Sequence, residues 1–404
     1  MGSSMNSAVS GLRAHQLMLD VTGNNIANVN TPGFKAGRTT FSDVLSQTIA
    51  GATAPSATVG GTDPQQVGLG VRTGAITNLF TQGGILTTNK PTDLAIQGDG
   101  FFVLSDGSAN YFSRAGAFEV DSAGNLVDSV TGYRVQGAGG DITISPTATS
   151  APVGTGTASF TGNLDPTVAA GATYVATVSV YDSLGGTHNL TLTFTKSATA
   201  GEFTYATTES DANMSIGAGG SGTLQFSGSG AIIAGGTGTI TLDFTNGASS
   251  GQVVTLDFGS PTNASPVTGF ASAATLALAS QDGAASGTLQ SFSIGTDGTI
   301  NGTFSNGRVQ SLGTIRMATF PNAAGLIKMG NNLYRESSNS GVANVGNPGT
   351  GGRGTLAPGS LEGSNVDLAD EFVKLIVAQR GFQANARVIT TSDEVLQEAV
   401  NLKR

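Results

Sequence analysis

A mainly β chain with an α-helix at each end is the fold class that the sequence predicts, and three observations carry it. Near the N-terminus, Met5, Val9, Leu12, Gln16, Leu19, Gly23 and Ile26 recur at steps of four and three, the spacing of one helix face. At the other end, a proline-free stretch runs from the start signal Ser364-Asn365-Val366-Asp367 to Arg404. It repeats the spacing at Leu368, Phe372, Leu375, Gln379, Phe382, Ala386, Ile389, Asp393 and Leu396. Between the two lies a chain rich in Gly, Thr and Ser, with 60 glycines in 404 residues, no tryptophan and 11% charged side chains. That composition suits short strands joined by tight turns.

Taken in order, the first helix should fray near Asn28. Pro32 disfavours helical geometry at Thr31, and the asparagines of Asn24-Asn25-Ile26-Ala27-Asn28-Val29-Asn30 bond locally to the backbone. Read alone, this is a surface helix with an Asn-rich exit. Residues 31–70 read as a linker segment with a short possible helical patch at Phe41-Ser42-Asp43-Val44-Leu45. From Val71 to about Gly140, runs such as Leu94-Ala95-Ile96 and Phe101-Phe102-Val103-Leu104 alternate with turn signals such as Asp99-Gly100 and Asp106-Gly107. The same texture returns from Leu289 to Arg335, which predicts one discontinuous β domain over 71–145 and 286–362. Residues 146–285 form an inserted outer β domain, long enough for its own sandwich or barrel. The terminal stretches, 1–30 and 363–404, carry matching seams and should pack together as a coiled-coil core domain.

Composition also narrows the function. With no cysteine, the chain has no disulfide, thiol or Cys-based metal chemistry. The net charge is −9, and between Arg134 and Arg308 the only basic residue is Lys196, against ten acids. A nucleic-acid surface needs the opposite sign. No apolar run is long enough to span a bilayer, and residues 1–20 lack the pattern of a cleaved signal. Gly217-Ala218-Gly219-Gly220-Ser221-Gly222 fits a dinucleotide pattern, but strand-like Thr223-Leu224-Gln225-Phe226 follows where phosphate binding wants a helix. His15 and His188 lie on different elements, so neither a metal site nor a catalytic triad is supported. The expectation is therefore a chain that is not an enzyme, with no catalytic, cofactor or metal residues. Sequons stand at Asn189, Asn213 and Asn301.

Three stretches carry a resemblance. Asn24 to Lys35, Asp93 to Leu104, and Gln379-Arg380-Gly381-Phe382-Gln383-Ala384-Asn385-Ala386-Arg387-Val388-Ile389 resemble, in this order, segments of the bacterial flagellar axial proteins of rod and hook. Tyr181 to Leu190 is similar to a hairpin in the outer domain of hook members, and the chain's length and insertion favour hook over rod. The resemblance implies a structural subunit that polymerises helically with itself into a curved hollow tube, a flexible joint passing motor torque to the filament. It further implies the distal rod protein, hook cap, hook–filament junction protein and export apparatus as partners. The expected location is the extracellular flagellum, reached without a cleaved signal. Two alternatives are a distal rod protein and, from another class, a secreted carbohydrate-binding adhesin. The residues expected to carry assembly are Asn24, Asn25, Ile26, Ala27, Asn28, Asn30, Thr31, Pro32, Gly33 and Phe34 in the N-terminal motif. The helix seams add Val9, Leu12, Leu19, Leu368, Phe372, Leu375, Phe382, Ile389 and Leu396.

Overall fold

The computed structural model describes residues 2–55, 60–260, 263 and 265–401. Two long helices, α1 (Gly2–Ala27) and α2 (Leu368–Asn401), flank a chain built otherwise of strands, turns and one short 3-10 turn. The chain divides into two compact units. The first comprises Met1–Ser145, Ser293–Asn301 and Ser311–Arg404, and the second Pro146–Phe292 and Gly302–Gln310.

α1 ends where its asparagines take over the backbone bonding. Asn28 Nδ2 donates to Asn24 O at 2.9 Å and to Asn24 Oδ1 at 2.7 Å, and Thr31 Oγ1 donates to Asn28 Oδ1 at 3.1 Å. The start of α2 differs from the sequence expectation. Asp367, not Ser364, caps it, its Oδ1 accepting from Ala369 N at 2.9 Å. The cause is tertiary, because Asn365 is held elsewhere by its side chain, as described below.

Residues 37–43, expected as linker and as part of a helical patch, are a strand. Gly37–Asp43 pairs antiparallel with Val71–Asn78, and Ser46–Ala50 pairs with Gln65–Gly68. A five-residue apolar patch is too short to sustain a helix, whereas Thr39, Thr40 and Phe41 suit a pleated surface that α1 can cover. Phe41 meets the His15 ring at 6.3 Å, and Val71 N donates to Ser10 Oγ at 3.2 Å.

In the first unit, strands from both sides of the long insertion share one sheet. Phe101–Ser105 pairs with Asn110–Ser113, Arg134–Gly137 and Met317–Thr319, and Asn110–Ser113 pairs with Leu333–Arg335. Phe101, Phe112 and Tyr334 are buried there, and Phe320 packs edge-to-face on Phe101 and Phe112. Two further pairs, Leu94–Gln97 with Thr355–Pro358 and Ile85–Thr87 with Ser360–Glu362, lay the returning chain beside the outgoing one. The roots of the two helices are thereby brought together.

The second unit has two five-stranded sheets around one core. One runs Thr173–Tyr181, Thr187–Lys196, Glu202–Glu209, Ser221–Phe226 and Ile232–Ala234. Phe160, Leu192, Phe194, Leu242, Leu256 and Phe258 are fully buried between the sheets. The glycine-rich 217–222 segment ends one strand at Gly219 and begins the next at Ser221, with Gly219 and Gly220 both at positive φ where the chain turns between them.

Candidate assembly site

The two helices pack against each other antiparallel. The pairing can be read from glycine. A methyl group on Gly11 would lie 2.8 Å from Asn385 Nδ2, and one on Gly381 would lie 2.5 Å from His15 Cε1. Each glycine thus receives a side chain of the facing helix against bare backbone, in two neighbouring turns. Asn25 Nδ2 donates to Glu371 Oε2 at 3.1 Å, placing a third contact farther along in the same register.

The closed seam is therefore Ala8, Gly11, His15, Met18, Thr22 and Asn25 against Glu371, Lys374, Ala378, Gly381 and Asn385, all buried or half-buried. On both helices this series lies one residue before the apolar series expected from the sequence. Periodicity favours the stripe of large side chains, but small residues permit the close approach and so take the contact. The expected seam residues flank it. Leu12, Leu19, Leu375, Phe382 and Ile389 are half-buried, while Val9, Leu368, Phe372 and Leu396 are exposed. Phe372 is 51% exposed, and Val373, Ile376 and Val377 extend that apolar surface.

The N-terminal motif turns from helix to strand around buried groups. Asn25 clasps Gly37 through both amide atoms, donating to Gly37 O at 2.9 Å and accepting from Gly37 N at 2.9 Å. Gly33, at φ +71°, donates its N–H to Glu362 O at 2.7 Å, and a methyl group there would lie 2.5 Å from Ala115 N. Only glycine meets both demands. Phe34 is buried beneath Lys328, whose Nζ stands 4.2 Å from the ring centroid. Asn24, Ile26, Ala27, Asn28, Asn30, Thr31 and Pro32 line the outside of the turn, exposed or half-buried, and Asn332 Nδ2 donates to Pro32 O at 2.9 Å.

Sequence reasoning missed the groups beneath the motif. Lys35 is completely buried, and its Nζ donates to Glu362 Oε1 at 2.7 Å and Thr81 O at 2.8 Å. Arg114 Nε lies 3.2 Å from Glu362 Oε2, and its Nη1 donates to Gly98 O and Gly100 O at 2.8 and 2.7 Å. Burial pulls both cations below their ordinary pKa, an effect opposed by Glu362. Asn365 completes the clasp, donating to Leu79 O at 2.8 Å and to Thr81 Oγ1 at 2.9 Å and accepting from Ala36 N at 2.8 Å. No local spacing announces the clasp, in which Lys35 and Glu362 lie 327 residues apart and Asn365 lies 329 from Ala36 and 286 from Leu79.

In the second unit the two ring nitrogens of His188 face Asp211 Oδ2 at 2.7 Å and Asp182 Oδ2 at 3.1 Å. Burial pushes the Asp182 carboxyl up, but hydrogen bonds from Asn246, His188, Gly186 and Leu184 outweigh it and hold the group below the usual range. The network pins the Asp182–Gly186 turn. Among the described residues no group of three or more His, Cys, Asp or Glu is arranged to hold a metal ion.

Four family models match in chain order. They are the flagella basal body rod protein over 5–35, the flagellar hook protein FlgE/F/G D1 domain over 95–157, the flagellar basal body protein FlaE D2 domain over 147–284, and the flagellar basal body rod FlgEFG protein C-terminal over 357–402. The flagellar hook protein FlgE of Treponema pallidum is 39% identical, over 99% of each chain. The hook protein FlgE of Salmonella typhimurium is 37% identical over 99% of this chain and 100% of its own. The flagellar basal-body rod protein FlgG of Bacillus subtilis is 35% identical over 99% of each.

Proposed function

The chain belongs to the flagellar hook and basal-body rod family, and on that premise we propose that it is the structural subunit of the hook. The observation that carries the reading is the apolar stripe left exposed beside the closed helix seam. One helix pair buries its small residues and leaves Phe372, Val373, Ile376 and Val377 in water. Further copies of the chain are the partners that would cover such a stripe, and a head-to-tail contact that does not close generates an open helical polymer. In that polymer the paired terminal helices act as a coiled-coil core. The N-terminal motif sets the direction in which the chain leaves it, and the clasp around Glu362 ties it to the β domain. Rod and other hook components of the flagellum are the neighbours to which such a tube connects at its ends.

Electron microscopy of the purified, polymerised chain tests the reading. Curved tubes are expected. Straight, short tubes would favour the rod alternative, and a protein that stays dispersed under all polymerising conditions would defeat a structural role.

A further inference from the structure

Beside the clasp, within the first unit, strands and loops enclose a cavity of about 410 Å³. Its walls are aromatic. Phe80 packs edge-on to Phe101 at 5.3 Å and Phe101 to Phe320 at 5.7 Å, while Gly351 and Gly352 contribute backbone alone. Arg114 is the one cation in the lining, and its side chain is 3% exposed.

The charges around Arg114 do not balance. Lys35, Arg114 and Glu362 are all buried, two cations to one carboxylate. Glu362 Oε1 accepts from Lys35 Nζ at 2.7 Å and from Gly83 N at 2.9 Å, which leaves Oε2 to face Arg114. That contact is incomplete. Arg114 Nε stands 3.2 Å from Oε2 without hydrogen-bonding geometry, and it has no other partner among the described residues. The Tyr334 hydroxyl, whose ring packs on both Phe80 and Phe101, is buried and likewise unpartnered. The other acid whose charge acts on Arg114, Asp99, lines the cavity from an exposed position and forms no ion pair with it. A buried cation in surplus, with a donor left open, is stabilised by an anion that it can hydrogen-bond.

We propose that this cavity binds a monocarboxylate carried on a flat apolar body, with the carboxylate facing Arg114 and the body against Phe80, Phe101 and Phe320. The planar guanidinium suits a carboxylate, and aromatic walls around one polar anchor suit the body of a small acid. Asp99 sets the charge. A second negative group on the ligand would meet it, so dianions are disfavoured. The site belongs to the subunit and does not depend on polymerisation.

Calorimetric titration of the unpolymerised full-length chain with sodium benzoate, at constant ionic strength, tests the proposal. Saturable one-to-one binding is expected, with a Kd of about 1 mM for so small a ligand. Benzamide, neutral and of the same shape, and phthalate, a dianion, should each bind at least about tenfold more weakly. Ala323→Leu and Thr319→Leu, made separately, narrow the cavity from residues outside the clasp and should each weaken benzoate by at least about tenfold, with circular dichroism confirming the fold. Absence of saturable binding, benzamide binding as well as benzoate, or folded variants that both bind benzoate like the unaltered chain would each overturn the site. None of these outcomes touches the structural role, which is judged by the formation of tubes.

Discussion

Glu362 has no exposed side chain and stands between two cations, Lys35 and Arg114, on segments far apart in sequence. Such a carboxylate is costly to remove, because its loss strands two buried positive charges. Glu362→Gln should destabilise the subunit by about 3–5 kcal/mol, the usual consequence of breaking a buried pair. Lys35→Met should cost less, since Arg114 still neutralises Glu362. Denaturant unfolding of the two variants checks the order, and a Lys35→Met penalty equal to or above that of Glu362→Gln would refute the account. Much of the motif was legible at this scale. Pro32 marks the end of the helix by backbone chemistry alone, and Gly33 beside it adopts a positive φ that a side chain disfavours. The clasp was not legible, because a buried lysine reads in sequence like any solvated one until its partner is known.

Both terminal helices could be read from spacing, but the face on which they close could not. Large apolar residues dominate the periodic signal, and the pair closes on Ala8, Gly11, Ala378 and Gly381 beside them. A seam of small residues buries little apolar surface, and each glycine weakens its helix by about 1 kcal/mol relative to alanine. The pair should therefore be marginal in a free subunit and firm only among neighbours. Hydrogen exchange should show α1 and α2 exchanging quickly in a verified monomer and protected in the tube, with 94–104 protected in both. Strong protection of both helices in the monomer would instead mean that a preformed pair docks as a rigid body. The strand Gly37–Asp43 escaped sequence reasoning because its partner, Val71–Asn78, and its cover, α1, are supplied by other parts of the chain.

For the whole molecule, the alternation of β runs foretold sheets, and glycine-centred turns marked where strands stop. Pairing order across the insertion was not readable, since register between 101–105 and 317–319 depends on contacts that no local pattern encodes. The two ends of the inserted unit lie side by side, with Thr149 and Ser150 paired to Thr288 and Gly287 and Val153 N donating to Ala284 O at 2.9 Å. Replacing about 146–285 with a short Gly-Ser bridge should therefore leave a chain that still forms tubes, straighter or mechanically altered, as electron microscopy would show. A folded, exported product that never polymerises would make this unit essential to assembly. The clasp has a mechanical meaning as well. Gly33 to Glu362, Lys35 to Glu362 and Ala36 to Asn365 join the two helix roots to each other side by side, and Asn365 to Leu79 ties them to the end of the strand Val71–Asn78. A pull along the helices loads these bonds in parallel, so rupture requires several to fail at once, whereas bonds loaded one after another would peel apart like a zip.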